Sequence, residues 1–172
     1  MIHGWPESSY TWEHVSRYLG AGFHIIAPDL RGLGDGERTV GEKHYHKAEL
    51  AQDVISMLDA LGIERCQLVG HDWGGIVAQE VALAIPERIT RLGIMNIAVI
   101  NNLKGNMEVV KKVRSTGGAS YWYQHFQQAP GMAEAMIPGN EEVWLRYFMR
   151  GAEQPIPEDS IAEYARMYSI PG

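Results

Sequence analysis

The sequence predicts an α/β fold with a parallel sheet over residues 1–100 and a helical region over residues 101–172. In the first part, short apolar segments alternate with segments whose apolar residues recur at helical spacing. Such alternation is typical of parallel sheets with right-handed crossovers. In the second part no segment has a convincing strand pattern, and the helical segments carry many large aromatic residues. The chain therefore divides into a sheet-forming part and a helical part.

Each element has its own signal. Leu50, Val54 and Leu58 fall on one helical face, and Gly62 stands where that helix should end. Pro157 suits the first position of the last helix. Together the patterns predict helices over residues 12–19, 48–61, 76–85, 119–126 and 141–150 and from residue 157 onward, and strands over residues 23–27, 66–69 and 92–97.

The turn at Asp72 carries the most specific signal. An apolar strand ends in Leu68 and Val69, small residues lie on both sides of Asp72, and a helix follows. This is the pattern of a nucleophile elbow, in which small neighbours leave room for a strained backbone. A carboxylate with an ordinary pKa of about 3.9 is ionised at neutral pH and can attack without a base. It suits an sp3 carbon that bears an epoxide oxygen or a halide, and the product is an ester that water must hydrolyse.

Charge and composition exclude several classes of function. A net charge of -6 disfavours nucleic acids and anionic membranes as partners. No apolar run has transmembrane length and no secretory signal is visible, so we expect a cytoplasmic protein. Cys66 is the only cysteine and cannot form an internal disulfide. His44 and His46 lack a ligand pattern around them, and we expect neither a metal nor an organic cofactor.

Three motifs carry a resemblance to a known family. Residues 70–75, Gly-His-Asp-Trp-Gly-Gly, resemble the elbow of α/β-hydrolases of the epoxide hydrolase and haloalkane dehalogenase group. Residues 3–6, His-Gly-Trp-Pro, resemble the family's His-Gly-x-Pro loop, and residues 28–35 resemble the loop after the next strand. The motifs occur in family order, and the likeness is closest to soluble epoxide hydrolases. It implies a partial α/β-hydrolase core with parallel sheet and elbow at residues 1–100, followed by a helical cap at residues 101–172.

The resemblance assigns roles to the residues of the elbow and the first loop. It makes Asp72 the nucleophile and gives the main-chain N–H groups of Trp5 and Trp73 to an oxyanion hole, which would stabilise the tetrahedral intermediate formed from the ester. It implies a cis peptide bond between Trp5 and Pro6. Since such loops and the elbow all follow strands, we expect them to gather at one edge of the sheet.

The resemblance also assigns residues of the cap. Tyr123 matches the tyrosine that donates to the epoxide oxygen, because the segment around it is similar to the soluble epoxide hydrolase cap. A protonated tyrosine can donate at neutral pH. Tyr121 lies two residues earlier, and positions so spaced project about 200° apart on a helix, so only one of the two should face the pocket. Tyr121, Trp122 and Trp73 are expected to bind the substrate.

The family's catalytic base and its acid have no counterpart in this chain. The resemblance implies that a histidine and an acid follow the cap, together with a second tyrosine. Some dehalogenases carry the acid at the position that is Asn96 here. We therefore expect an internal segment of a longer enzyme, which can be alkylated at Asp72 but does not turn over.

Three functions remain open from sequence alone. The first is hydrolysis of small apolar epoxides to vicinal diols. The second is dehalogenation of haloalkanes or haloacids, with the Trp73 indole, and Trp122 as a second donor, holding the halide. Against it, Trp5-Pro6 lacks the asparagine of some dehalogenases, and Trp73 and Ile76 stand where fluoroacetate dehalogenases carry arginines. The third is binding of a small apolar ligand without catalysis. The oligomeric state is not predicted.

Overall fold

The computed structural model describes residues 1–115, 122–152 and 154–171. The chain forms two compact units, one made of Met1–Ala98 together with Pro171 and the other of Val99–Ile170. The first residues of the helix predicted over 119–126 lie outside the described residues. Within the described ranges, no helix is both long and apolar enough to cross a bilayer.

The first unit contains a parallel sheet, as predicted. Strand β1 (Cys66–His71) pairs in parallel with strand β2 (Ile89–Met95), and one register irregularity falls between Cys66 and Gln67. Ile2 lies on the other side of β1 and makes a single parallel bridge to it, donating its N–H to the Val69 carbonyl at 2.7 Å. The start of the chain is therefore anchored beside the strand that leads to Asp72.

The helices of the first unit bury the faces that the sequence pattern indicated. They are α1 (Glu13–Leu19), α2 (Lys47–Ala60) and α3 (Trp73–Ala84). Helix α2 packs against α3. Gly62 follows α2 with φ 65°, a left-handed conformation that glycine adopts without strain. The core consists of apolar side chains from both helices, β1 and two loops: Ile2, Leu30, Leu50, Ala51, Val54, Ile55, Leu58, Leu68, Val77, Ala78 and Val81.

One predicted strand and several predicted boundaries were wrong. Residues 23–27 form no strand, because within the described residues their main chain receives one bond, from the Met1 amino group to the Ile26 carbonyl. Strand β2 begins three residues earlier than predicted and ends before Asn96. Pro157 precedes the last helix as its N-cap instead of occupying its first turn.

The second unit is helical in its described residues. Its helices are α4 (Leu103–Ser115), α5 (Trp122–Gln128), α6 (Met132–Met136), α7 (Glu141–Met149) and α8 (Glu158–Tyr168). Helix α7 packs against α8, where Leu145 and Ile161 are buried. The exposed Arg146 guanidinium bridges Glu142 and Glu158, and such surface pairs contribute little to stability.

Candidate active site

Asp72 stands alone between β1 and α3 in a strained conformation. Its φ is 50° and its ψ is -122°, a region that side chains of L-residues rarely occupy. Two main-chain hydrogen bonds hold it there: its N–H donates to the Met95 carbonyl at 3.0 Å, and its carbonyl accepts from the Gly75 N–H at 2.8 Å. The strand on one side and the helix on the other therefore fix the backbone that projects the carboxylate, which is the geometry of the predicted elbow.

Glycine is required on both sides of Asp72 because other main-chain segments approach too closely for a Cβ atom. A Cβ on Gly70 would lie 2.3 Å from the Gly74 carbonyl oxygen, and a Cβ on Gly74 would lie 2.3 Å from the His3 carbonyl oxygen. Real Cβ atoms do not approach backbone that closely. The small residues in the motif thus let β1, the first turn of α3 and the first loop pack against one another.

The carboxylate of Asp72 accepts a hydrogen bond from the first loop. Asp72 occupies the N-cap position of α3, yet its side chain makes no capping hydrogen bond to that helix. Instead Oδ1 accepts the main-chain N–H of Trp5 at 3.0 Å. The peptide bond between Trp5 and Pro6 is cis, as the resemblance implied. Trp73 is the first residue of α3, so no carbonyl of its own helix can receive its N–H.

His3 connects the first loop to the loop after residues 23–27. Its Nε2 accepts the N–H of Leu30 at 3.0 Å, so the ring hydrogen is on Nδ1, which donates to the Gly4 carbonyl at 3.0 Å. The ring is fully buried, and burial lowers the pKa of His3, with the Gly4 bond and the Asp29 charge opposing the shift. A neutral histidine thus holds the two loops beside the elbow, at one edge of the sheet.

Asp29 accepts hydrogen bonds from main-chain groups and so fixes the loop of residues 28–35. Its Oδ1 accepts the N–H of Ser9 at 2.6 Å, and its Oδ2 accepts the N–H of Asp35 at 2.9 Å. A Cβ on Gly34 would lie 2.2 Å from the Asp29 carboxyl carbon. Both oxygens of the Asp29 carboxylate are therefore engaged with main-chain N–H groups.

His71, the residue before Asp72, pairs with Glu7. Its Nδ1 lies 3.2 Å from Oε2 of Glu7, and both side chains are mostly buried. The hydrogen bond to Glu7 raises the pKa of His71, burial opposes the shift, and the charges of Glu7 and Asp72 add to it. The protonated form of His71 is thereby favoured next to the elbow.

Lys47 is a site residue that the sequence did not indicate. It is the first residue of α2, and its Nζ lies 3.3 Å from the centroid of the Trp73 ring, well within the ~6 Å reach of a cation–π interaction. Burial lowers the pKa of Lys47 from 10.5 to about 8, and the Asp72 charge opposes that shift. The Trp73 side chain, 39% exposed, therefore carries a cation on its ring. Lys47 begins α2 and Trp73 begins α3, and no local sequence pattern predicts that these two side chains are in contact.

The predicted cap residues lie in an aromatic cluster of the second unit. The Tyr123 ring meets Phe148 edge-on at 5.1 Å between centroids and also contacts Trp122. The Trp122 ring packs against Phe126 and Trp144. Tyr121 lies outside the described residues. Neighbouring positions of α5 therefore pack their side chains on different aromatic partners.

Each unit has its own apolar cavity. The one in the second unit has a volume of about 680 Å³ and includes Trp122 in its wall, but not Tyr123. The one in the first unit, about 500 Å³, lies between residues 23–26 and β1 and contains none of the predicted site residues. We give the first-unit cavity no catalytic role because Asp72 is not in its wall. Among the described residues no group of three or more His, Cys, Asp or Glu side chains could hold a metal ion.

A comparison with known protein families decides the fold family. The model of the alpha/beta hydrolase fold family matches residues 1–128, which include the first loop, the elbow and the start of α5. The chain belongs to the α/β-hydrolase fold family. This confirms the fold class and the family expected from the three motifs.

Individual relatives of this α/β-hydrolase are named epoxide hydrolases. Epoxide hydrolase A of Mycobacterium tuberculosis is 30% identical over 90% of this chain and 48% of the relative. A soluble epoxide hydrolase of a Corynebacterium species is 32% identical over 100% of this chain and 60% of the relative. The crystal structure of an epoxide hydrolase from Vigna radiata superimposes with a TM-score of 0.77 at 30% identity, covering 98% of this chain and 58% of that one. The chain thus spans about half the length of the relatives it matches.

Asn96 occupies a second strained position of this α/β-hydrolase. It follows β2 directly and has φ 54°. Its neighbour Met95 accepts the N–H of Asp72, so Asn96 begins the loop beside the elbow. An amide at this position cannot serve as the acid that some dehalogenases place there, and asparagine tolerates positive φ better than most residues.

Proposed function

We propose that this chain supplies the nucleophile of an epoxide hydrolase, with Asp72 forming a covalent ester with the substrate. The observation that carries the proposal is the position of the Asp72 carboxylate. It projects from a strained turn at a helix N-terminus, is not used as a cap, and accepts the Trp5 N–H on one oxygen. The names of the relatives support the substrate class.

In the first step, an Asp72 oxygen attacks an epoxide carbon. Because Oδ1 accepts the Trp5 N–H, we assign the attack to Oδ2. A new C–O bond forms as the ring C–O bond breaks, and its electron pair goes to the ring oxygen. We propose that Tyr123 donates the proton which converts this oxygen to a hydroxyl, since a phenol remains protonated at neutral pH.

In the second step, water attacks the ester carbonyl carbon. Oδ1 is then the carbonyl oxygen and takes up negative charge in the tetrahedral intermediate. The Trp5 N–H already donates to this atom, and the Trp73 N–H is the second donor that we assign to the oxyanion hole. Cleavage of the bond between the acyl carbon and Oδ2 releases the diol and restores the carboxylate, which keeps the oxygen of the water. Of the two protons of the water, one goes to the departing alcohol oxygen and one returns to the Tyr123 phenolate. A base must take a proton from the water, and we assign that role to no residue of this chain.

A second candidate, dehalogenation, is favoured by one observation. The Lys47 ammonium on the Trp73 ring places positive charge next to an indole that could bind a leaving halide. The nucleophile and the ester would be the same, but a halide leaves without a proton. Measuring halide release and diol formation with paired substrates separates the two reactions.

The test is intact-mass spectrometry of the chain after incubation with styrene oxide. The proposal expects a mass gain of one epoxide, which peptide mapping places on Asp72. Bromoalkanes of similar size test the second candidate in parallel. No adduct on Asp72 with either substrate would contradict both reactions and leave binding of a small apolar ligand. Sustained diol formation by the chain alone would contradict the expectation that its base is missing.

A further inference from the structure

Lys47 occupies a place that is unfavourable for a positive charge. As the first residue of α2 it stands at the positive end of the helix dipole. Its side chain is also half-buried, and burial is the main reason that its pKa falls to about 8. Both effects raise the free energy of the charged lysine in the folded protein. A charge kept in such a place needs a compensating partner.

The partners of the Lys47 ammonium are both at the elbow. It lies on the face of the Trp73 ring, 3.3 Å from the centroid. Among the described residues, the charge that acts on it is the carboxylate of Asp72. Glu49 is two residues further along α2, a spacing at which helical side chains do not face each other. The other ionisable pair at the elbow, His71 with Glu7, is bonded within itself.

We propose that Lys47 is a positioning residue for ester formation at Asp72, holding the Trp73 ring in place and adding positive charge to that of His71 near the elbow. This inference rests on the proposed function, because it concerns the alkylation of Asp72. The sequence motifs of the elbow and of the first loop do not include this lysine. It acts through Trp73 and Asp72 and forms no bond with the substrate.

The movement of negative charge during ester formation explains how a nearby cation could assist the reaction. When Asp72 attacks, its negative charge becomes part of a neutral ester, and the charge moves to the departing oxygen or halide. The Lys47 ammonium remains and favours negative charge that is still near the elbow, whichever atom bears it. After hydrolysis the carboxylate returns as its partner. We attribute the effect on the rate to a stronger attraction of the cation to the charge on the departing atom than to the carboxylate charge, because only such a difference accelerates the step.

Three forms of the chain test the role: wild type, Lys47→Arg and Lys47→Met. The rate of adduct formation on Asp72 with styrene oxide is measured between about pH 6 and about pH 9.5, and peptide mapping separates it from any adduct on lysine. Arginine keeps its charge over this range and stacks well on aromatic rings. Lys43→Met, a change at an exposed lysine outside the elbow, is the matched control.

We expect the wild-type rate to fall about tenfold, ~1.4 kcal/mol, as pH rises through the pKa of Lys47, which is about 8. The Lys47→Arg rate should lack this fall, and the Lys47→Met rate should be low throughout. Any change in rate caused by titration of His71 is common to all three forms and cancels when their profiles are compared. Thermal melting should show Lys47→Met no less stable than wild type at neutral pH, because burial already disfavours the charge. If Lys47 had only a structural role, Lys47→Met would melt at a lower temperature than wild type, and the wild-type rate of adduct formation would not depend on the charge of Lys47.

The outcomes are distinguishable. If Lys47→Met forms the Asp72 adduct at the wild-type rate and with the wild-type pH profile, the role of Lys47 is overturned while the proposed function stands. If the wild type forms no Asp72 adduct at any pH, the proposed function fails and the role of Lys47 fails with it. Loss of stability in Lys47→Met, with a level pH profile in the wild type, would make the lysine structural.

Discussion

The main-chain N–H of Trp5 donates to Oδ1 of Asp72 at 3.0 Å, so the first loop of the chain holds the carboxylate of the elbow. This contact joins two motifs that are far apart in sequence. It leaves Oδ2 as the oxygen proposed to attack, and it places an N–H on the oxygen that would become the ester carbonyl. The predictions below concern this contact and its surroundings.

Replacing Asp72, the proposed nucleophile, by its amide should abolish the adduct. In Asp72→Asn the side chain has almost the same shape, and asparagine tolerates the φ of 50° at this position. An amide oxygen is a far weaker nucleophile than a carboxylate, so we expect no mass gain with styrene oxide. Asp53→Asn, which weakens the ion pair of Asp53 with Arg31 on the surface, is the control. An adduct of undiminished yield in Asp72→Asn would place the nucleophile elsewhere.

A methyl group on Gly4 should disrupt the contact between loop and elbow. The Cβ of Gly4→Ala would lie 2.4 Å from Cβ of Asp72 and 2.7 Å from the His71 carbonyl oxygen. Overpacking of this kind costs about 1–3 kcal/mol, and we expect a lower melting temperature with much slower adduct formation. Gly22→Ala is the matched control, since its Cβ would meet nothing within 4 Å. Equal behaviour of the two variants would contradict the close packing described for the first loop.

The pair of His71 and Glu7 should give a pH-dependent contribution to stability. The hydrogen bond to Glu7 raises the pKa of His71 above its usual 6.5. The folded state therefore binds the proton more tightly than the unfolded chain, so the stabilisation is complete below pH 6.5 and is lost as pH rises through the raised pKa. We expect Glu7→Gln to lower the melting temperature more at about pH 5.5 than at about pH 9.

The control for that experiment is Glu13→Gln, which removes an exposed ion pair with Arg17. Its effect should be small at both pH values, because exposed pairs contribute little. A Glu7→Gln variant that loses the same stability in acid and in alkali would show that protonation of His71 is not linked to folding.

Tyr123→Phe should separate epoxide opening from halide displacement. If Tyr123 donates the proton to the ring oxygen, its loss should slow adduct formation with an epoxide by about a hundredfold. A bromoalkane should react as before, because bromide leaves without a proton. Tyr147→Phe is the matched control, a second tyrosine of the same unit that packs against Trp122. Equal slowing with both substrates would mean that Tyr123 acts through packing.

The elbow was predictable because its signals are local. Burial alternates along β1, the glycines are adjacent to Asp72, and the helix after it starts within a few residues of the predicted position. These features depend on neighbours in the sequence, so a short window contains them. The same holds for α2, whose apolar spacing and terminal Gly62 predicted its length closely.

The strand predicted over residues 23–27 is an element that local sequence signals did not predict correctly. Its apolar, β-branched composition indicates a strand, but a strand exists only where another segment completes its hydrogen bonds. In the described residues that pairing is limited to the bond from Met1 to Ile26. Composition cannot specify the partner, and the prediction was wrong for that reason.

The sequence by itself determined the fold family, the identity of the residue at the elbow and the loops expected near it. Each of these depends on a motif of consecutive residues. The resemblance already assigned the Trp5 N–H to the surroundings of Asp72, and the tertiary structure gave its distance from Oδ1, 3.0 Å. Only the tertiary structure decided the pair of His71 with Glu7 and the position of Lys47 on the Trp73 ring. These contacts join elements that are distant along the chain. Their distances follow from how α2, α3 and the loops pack, and packing is a property of the whole folded unit.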